Sequence, residues 1–213
     1  MQRVNSCLLR HSGLMLVMLA LGGCSSMSKN ECLTVDWRTV GYEDGVDGYP
    51  GDRIAQHRKA CAKYGVTTDL VAYQQGREQG LGEYCQPANG YRIGVRGWGY
   101  GGVCPANLEP AFVAAFNSGH ELYTLQERVS STINAINYKR NELDQLERGV
   151  ITSAVAAVSS DSSSQDRASA LADTAQQAER IGRLKSEIRE LEQYRIQYER
   201  DLDAYRAGQP PST

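Results

Sequence analysis

The chain has 213 residues, of which 41% are hydrophobic and 23% are charged, and its formal net charge is −2. This balance is typical of a globular protein and argues against a fully disordered or collagen-like chain. The lack of a basic excess argues against nucleic acid as the main partner. The six cysteines and 21 glycines are spread unevenly along the chain, which indicates regions of different structure.

The N-terminus has the layout of a secretory signal. Arg3 and Arg10 precede a short apolar run at 14–21, and small residues follow the run. The run is too short to span a bilayer, because a spanning helix takes about 20 apolar residues. We therefore expect an exported protein rather than one held by a transmembrane helix.

Leu21-Gly22-Gly23-Cys24 resembles the bacterial lipoprotein cleavage motif, in which the cysteine is acylated. The resemblance implies a lipoprotein signal peptide over 1–23, a lipid anchor on Cys24 and a tether over 24–31. Ser25 follows the cysteine, and by the same resemblance this favours sorting to the outer membrane. The expected location is the periplasmic face of that membrane, held there by acyl chains.

Four cysteines remain once Cys7 is assigned to the signal and Cys24 to the lipid: they are Cys32, Cys61, Cys85 and Cys104. An even number in an oxidising compartment indicates disulfide bonds. Three pairings are possible, and the most local one, Cys32–Cys61 with Cys85–Cys104, is favoured. No CxxC motif occurs and the histidines lie far from any paired cysteine spacing, so we predict neither a metal site nor a cofactor.

Residues 32–118 form a predicted glycine- and tyrosine-rich head. An aromatic-x-x-Gly motif recurs in it, beginning at Tyr42, Tyr73, Tyr91 and Phe116. On a helix the ring and the glycine share one face, where the glycine lets a neighbouring backbone approach closely. A ligand groove floored by these glycines is the less favoured alternative. Helices are predicted near 36–48, 52–64, 69–84 and 108–123, with Asp36, Asp52 and Asp69 as N-caps.

Residues 86–105 are predicted to form an irregular loop or a short hairpin, closed by Cys85–Cys104, because five glycines fall between 94 and 102. Aromatic and basic side chains within 91–100 could stack on a sugar or bind an anionic group. These candidate ligand residues are Tyr91, Arg92, Arg96, Trp98 and Tyr100. The alternative, which we favour, is that the loop folds back onto the helices.

Residues 119–206 carry two runs of apolar residues at heptad spacing, which predict paired helices. A serine-rich segment at 159–166 separates the runs and predicts a turn. The expected fold is mainly α: a small disulfide-stapled helical head with a Gly-rich loop, then a long antiparallel helical hairpin of the coiled-coil type. Intermolecular coiled-coil pairing is the alternative. Residues 207–213 are expected to be a disordered tail.

Several motifs of the head together resemble an uncharacterised family of predicted lipoproteins from Gram-negative bacteria, over roughly residues 30–125. The motifs are Trp37, Gly41-Tyr42-Glu-Asp-Gly45, Tyr73-Gln-Gln-Gly76, Tyr84-Cys85, Asn89-Gly90, Val103-Cys104-Pro105 and Phe116 with Gly119. The resemblance implies an envelope location and carries no activity.

No enzyme activity is expected, because the chain lacks GxSxG and HExxH motifs and has no cysteine left as a nucleophile. His57 is interpreted as part of a solvated basic face, and Asp44 as a cap or solvated charge. We expect a lipid-anchored envelope protein with a structural or protein-interaction role, acting through a partner or self-association of 119–206. Glycan or peptidoglycan binding through 91–100 is the alternative.

Overall fold

A computed structural model describes residues 27–159 and 161–208. This part of the chain contains seven α-helices and no β-strand, which confirms the mainly α class. The helices are α1 (Lys29–Leu33), α2 (Trp37–Val46), α3 (Arg53–Ala62), α4 (Leu70–Tyr84), α5 (Pro87–Val95), α6 (Glu109–Val158) and α7 (Ser164–Arg206). None of these helices is long and apolar enough to cross a membrane.

The predicted signal peptide and Cys24 lie outside the described residues. The last part of the predicted tether is helical, because α1 begins at Lys29. Ser28 and Glu31 form a capping box there, in which each side chain bonds the backbone N–H of the other residue.

The four helices predicted for the head occur close to their expected positions as α2, α3, α4 and the start of α6. Asp36 accepts a hydrogen bond from the backbone N–H of Arg38, and Asp69 accepts one from that of Ala72. Both are therefore N-caps, as predicted. Asp52 precedes α3 but makes no side-chain capping bond.

The loop predicted over 86–105 is wrong in its first half, because Pro87–Val95 forms α5. Gly90 and Gly94 lie on the side of α5 that contacts α6. A Cβ atom on Gly94 would lie 2.3 Å from the carbonyl oxygen of Phe116. Glycine weakens a helix by about 1 kcal/mol relative to alanine, but close packing on α6 compensates for that loss here.

The same kind of contact joins α2 to α4. A Cβ atom on Gly41 would lie 2.0 Å from the carbonyl oxygen of Tyr73, and one on Gly76 would lie 1.9 Å from that of Arg38. These glycines therefore face a neighbouring helix backbone. Of these two, Gly76 belongs to the aromatic-x-x-Gly motif that begins at Tyr73. The structure supports the packing interpretation for the glycines of the motif, whereas the rings of Tyr42 and Tyr91 are exposed.

The head has two apolar clusters, and each contains one disulfide. Cys32–Cys61 lies with Trp37 and Tyr73 in the first, while Cys85–Cys104 lies with Phe112 in the second. This is the pairing that the sequence favoured. The first disulfide ties α1 to α3, so α1 is fixed to the head.

Helices α6 and α7 pack against each other as an antiparallel hairpin. Ion pairs cross between them from Lys139 to Glu187 and from Lys185 to Glu147. Ser163 caps α7 in a capping box with Asp166, within the segment predicted to turn. The predicted hairpin is therefore confirmed as a pairing of two helices within a single chain.

The predicted boundary between residues 118 and 119 falls inside α6, so the head and the hairpin share a continuous helix. Of the predicted tail, residues 207 and 208 form a turn after α7. Residues 209–213 lie outside the described part.

Candidate functional site

A groove of about 490 Å³ opens on the head beside α1, α2 and α3. We call it the acidic groove, because five of its lining residues are carboxylates: Glu31, Asp36, Glu43, Asp44 and Asp47. Met27, Val35 and Val40 supply apolar lining. The remaining polar lining consists of Thr34, Thr39, Tyr49, Arg53 and His57. Its size is in the range of small-molecule sites, which is roughly 300–1,000 Å³.

Asp44 lies at the centre of a buried polar cluster and is only 5% exposed. Its Oδ2 is 2.8 Å from Nε2 of His57 and accepts a hydrogen bond of 2.7 Å from the Tyr73 hydroxyl. Its Oδ1 accepts one of 3.0 Å from Nε of Arg53. The cluster thereby links α2, α3 and α4.

The interpretations of Asp44 as a cap or solvated charge and of His57 as part of a solvated face are therefore wrong. Both side chains are buried. Helical spacing could have shown this, because residues three or four apart share a face. Asp44 follows Gly41 by three positions, and His57 precedes the buried Cys61 by four.

The surroundings of the cluster keep Tyr73 neutral. Burial raises the pKa of the Tyr73 hydroxyl, and its hydrogen bond to Asp44 raises that pKa further. Tyr73 therefore remains a donor to the carboxylate.

The guanidinium of Arg53 also lies over the Tyr49 ring, 3.7 Å from its centroid, which fixes the cation in position.

His57 has one nitrogen engaged and one free. Nε2 faces Asp44, whereas Nδ1 is buried without a hydrogen-bond partner. Asp44 accepts from Tyr73 and Arg53 as an ionised carboxylate does, so Nε2 is the nitrogen that donates to it. In the neutral ring, Nδ1 is then a hydrogen-bond acceptor.

Two carboxylates of the acidic groove, Glu31 and Asp36, accept backbone hydrogen bonds close to the starts of α1 and α2. Backbone and side-chain hydrogen bonds from Ser28 lower the pKa of Glu31, and the Thr39 hydroxyl and Arg38 N–H lower that of Asp36. Both are ionised at neutral pH.

No group of three or more potential ligands within 27–159 and 161–208 could hold a metal ion.

Residues 36–121 match the family model described as Protein of unknown function (DUF2799). The matched segment runs from the N-cap of α2 into α6 and includes Asp44, His57 and Tyr73, while the rest of the hairpin lies beyond it. No curated protein and no solved structure matches the chain significantly. The match supports the expectation that the head resembles an uncharacterised family. That the family consists of lipoproteins stays a prediction.

The five candidate ligand residues of 91–100 do not lie on one loop. Tyr91 and Arg92 are exposed on α5. Tyr100 belongs to the core, since its ring lies 4.8 Å from that of Phe112 and its hydroxyl donates to Glu109. Because Tyr91 and Arg92 lie on α5 and Tyr100 packs in the core, the exposed surface that follows α5 is smaller than the sequence suggested.

That surface is formed by Arg96 and Trp98, which follow α5. The Arg96 guanidinium lies 4.9 Å from the Trp98 ring centroid, and Trp98 is 57% exposed. An exposed indole beside a guanidinium can stack on a flat or ring-shaped ligand. We refer to these two residues as the Arg96–Trp98 pair.

Proposed function

We propose that the protein is a lipid-anchored protein of the outer membrane's periplasmic face, whose hairpin binds a protein partner. The observation that supports it most is the burial pattern of the hairpin. Residues 137–183, which we call the distal arm, include no buried residue among those described. Nearer the head, Leu125, Ile136, Leu184 and Leu202 are buried in the seam.

The distal arm nevertheless keeps large apolar side chains. Tyr138 is 72% exposed and Val158 is 83% exposed, and Ile151, Val155 and Leu171 are exposed as well. Two helices cannot cover these residues, whereas a further helix packed alongside would remove them from water. Ile151, Val155 and Val158 share one face of α6, and an exposed apolar helix face of this kind commonly marks a protein interface.

The length of the hairpin supports this role. From residue 118 to Val158, α6 rises about 60 Å at 1.5 Å per residue. The predicted anchor precedes α1, which a disulfide holds to the head. An anchored head with an arm of this length can reach a partner well away from the attachment point.

Site-specific photo-crosslinking in intact envelopes tests the interaction. A photoreactive residue at Val155, in the distal arm, should give a discrete protein adduct. The same residue at Val71, an exposed valine of α4, is the matched control and should give none. An absence of adducts at Val155, or the same adducts from both positions, would reject the proposed role of the arm.

The anchor is tested separately by Cys24→Ala and membrane fractionation. The unchanged chain should sediment with outer membranes, whereas the variant should lose the mature, lipidated form. If the variant is processed and sediments as the unchanged chain does, the lipid anchor is not at Cys24.

Glycan or peptidoglycan binding through the Arg96–Trp98 pair is a second candidate, favoured by the exposure of Trp98. Trp98→Ala should reduce co-sedimentation with purified peptidoglycan. Tyr138→Ala, which removes an exposed ring from the arm, is the control and should not. Equal sedimentation of the two variants would reject this candidate.

A further inference from the structure

We propose that the acidic groove of the head binds a small organic amine in its ammonium form. This site is independent of the arm and of any partner bound there. In the neutral ring the unpaired Nδ1 of His57 is a hydrogen-bond acceptor, as the groove's carboxylates are. The ligand that fits these groups supplies several N–H donors and positive charge.

The charge of the lining selects a cation. Five carboxylates line the groove against the single guanidinium of Arg53. That guanidinium is already held by Asp44 and Tyr49. Glu43 and Asp47, one helical turn apart, are exposed at the edge, and their carboxylates make no hydrogen bond or ion pair with the described residues. An ammonium group would find two unengaged carboxylates there.

His57 gives an independent indication of the same chemistry. Its side chain is 5% exposed and belongs to the groove lining, and its Nδ1 has no hydrogen-bond partner. An unsatisfied buried polar atom lowers stability, and a ligand donor can recover that loss. A carboxylate or phosphate ligand could not, because it would bring another acceptor toward Nδ1 and more negative charge toward the rim.

The rest of the lining favours an organic cation over a metal ion. No group of three ligating side chains occurs among the described residues, so a bare cation would lack a coordination shell. Met27, Val35 and Val40 offer apolar contacts to the methylene groups of an amine. The volume of about 490 Å³ leaves room for a compact ligand with more than one ammonium group.

Isothermal titration of the purified protein with 1,4-diaminobutane tests the site. We expect saturable binding, with no comparable binding of 1,4-butanediol, which is similar in length but uncharged, or of magnesium chloride. The double variant Glu43→Gln, Asp47→Asn should weaken diamine binding at least tenfold. Glu78→Gln, which changes an exposed carboxylate of α4 outside the groove, should leave it unchanged.

Nitrogen NMR of the histidine rings supplies the second readout. Saturation with diaminobutane should shift the Nδ1 resonance of His57 and leave the ring nitrogens of His120 unchanged. The proposal is overturned if the diamine does not bind saturably, or if the diol or magnesium binds as well. An unaffected double variant or an unmoved Nδ1 resonance would overturn it too.

Discussion

Helices pack in pairs in both the head and the hairpin, but individual glycines have opposite effects on stability in the two regions. We call the hairpin outside the head the arm. In the head, Gly41 and Gly76 let the backbones of α2 and α4 touch, and a Cβ atom at either would overlap a carbonyl oxygen. In the arm, a Cβ atom on Gly182 would meet no atom within 4 Å. Glycine is thus required for packing at positions 41 and 76, whereas at position 182 it only weakens the helix.

The regions also place their charges differently. The head buries Asp44 with three hydrogen-bonding partners, so its charge lies between helices. In the arm, the ion pairs flank the seam and remain partly or largely exposed, as between Arg140 and Glu192. The head therefore has a buried polar cluster that joins three of its helices, whereas the ion pairs between α6 and α7 remain accessible to water.

The largest expected effect is that of Gly76→Ala, which should abolish the folded head. Its Cβ would lie 1.9 Å from the carbonyl oxygen of Arg38, and a backbone atom in a packed helix cannot move away freely. Both tryptophans, Trp37 and Trp98, lie in the head. Tryptophan fluorescence in urea therefore reports the head, and the variant should lose the unfolding transition.

Gly82→Ala is the matched control, because it lies on the same helix and its Cβ would meet no atom within 4 Å. It should stabilise the head by up to about 1 kcal/mol. Comparable transitions for Gly76→Ala and Gly82→Ala would show that close approach of α2 and α4 is not required.

The next largest effect is expected in the arm. Leu184→Ala removes a side chain that is fully buried in the seam, which typically costs about 2–5 kcal/mol. Far-UV circular dichroism reports mainly α6 and α7, which supply most of the helical residues. Its urea midpoint should fall. Leu171→Ala removes an exposed leucine from the same helix and should leave the midpoint nearly unchanged.

The features predicted from sequence are those with local periodicity. Heptad spacing identified the hairpin, and the glycines of the aromatic-x-x-Gly motif identified the packing faces of α2 and α4. The helix α5 was missed because Gly90 and Gly94 disfavour a helix locally, and only contact with α6 compensates.

The polar cluster was missed for a related reason. Asp44 and His57 lie 13 positions apart, and neither residue type is ordinarily buried. Their partnership depends on where α3 lies relative to α2, which no local pattern specifies. The spacing from His57 to Cys61 was the available signal, because it put the imidazole on the face of a buried disulfide.

Gly182→Ala should change the free energy of unfolding in the opposite direction to Gly76→Ala. In the arm, the new methyl group meets open space, so only the intrinsic helix preference changes. We expect a gain of about 0.5–1 kcal/mol in the free energy of unfolding followed by circular dichroism. A loss of stability would show that the arm also needs a close approach at this position.

The smallest expected effect is the contribution of an exposed ion pair between α6 and α7 to the free energy of unfolding. A double-mutant cycle with Arg140→Met and Glu192→Gln should give a coupling of about 0.5 kcal/mol, since both side chains are substantially exposed. One molar sodium chloride should remove it, because the Debye length falls to about 3 Å. The corresponding cycle with Arg53→Met and Asp44→Asn should give a larger coupling that persists in salt, since Asp44 is buried. Equal couplings that salt screens alike would mean that burial in the head does not strengthen its charge pair.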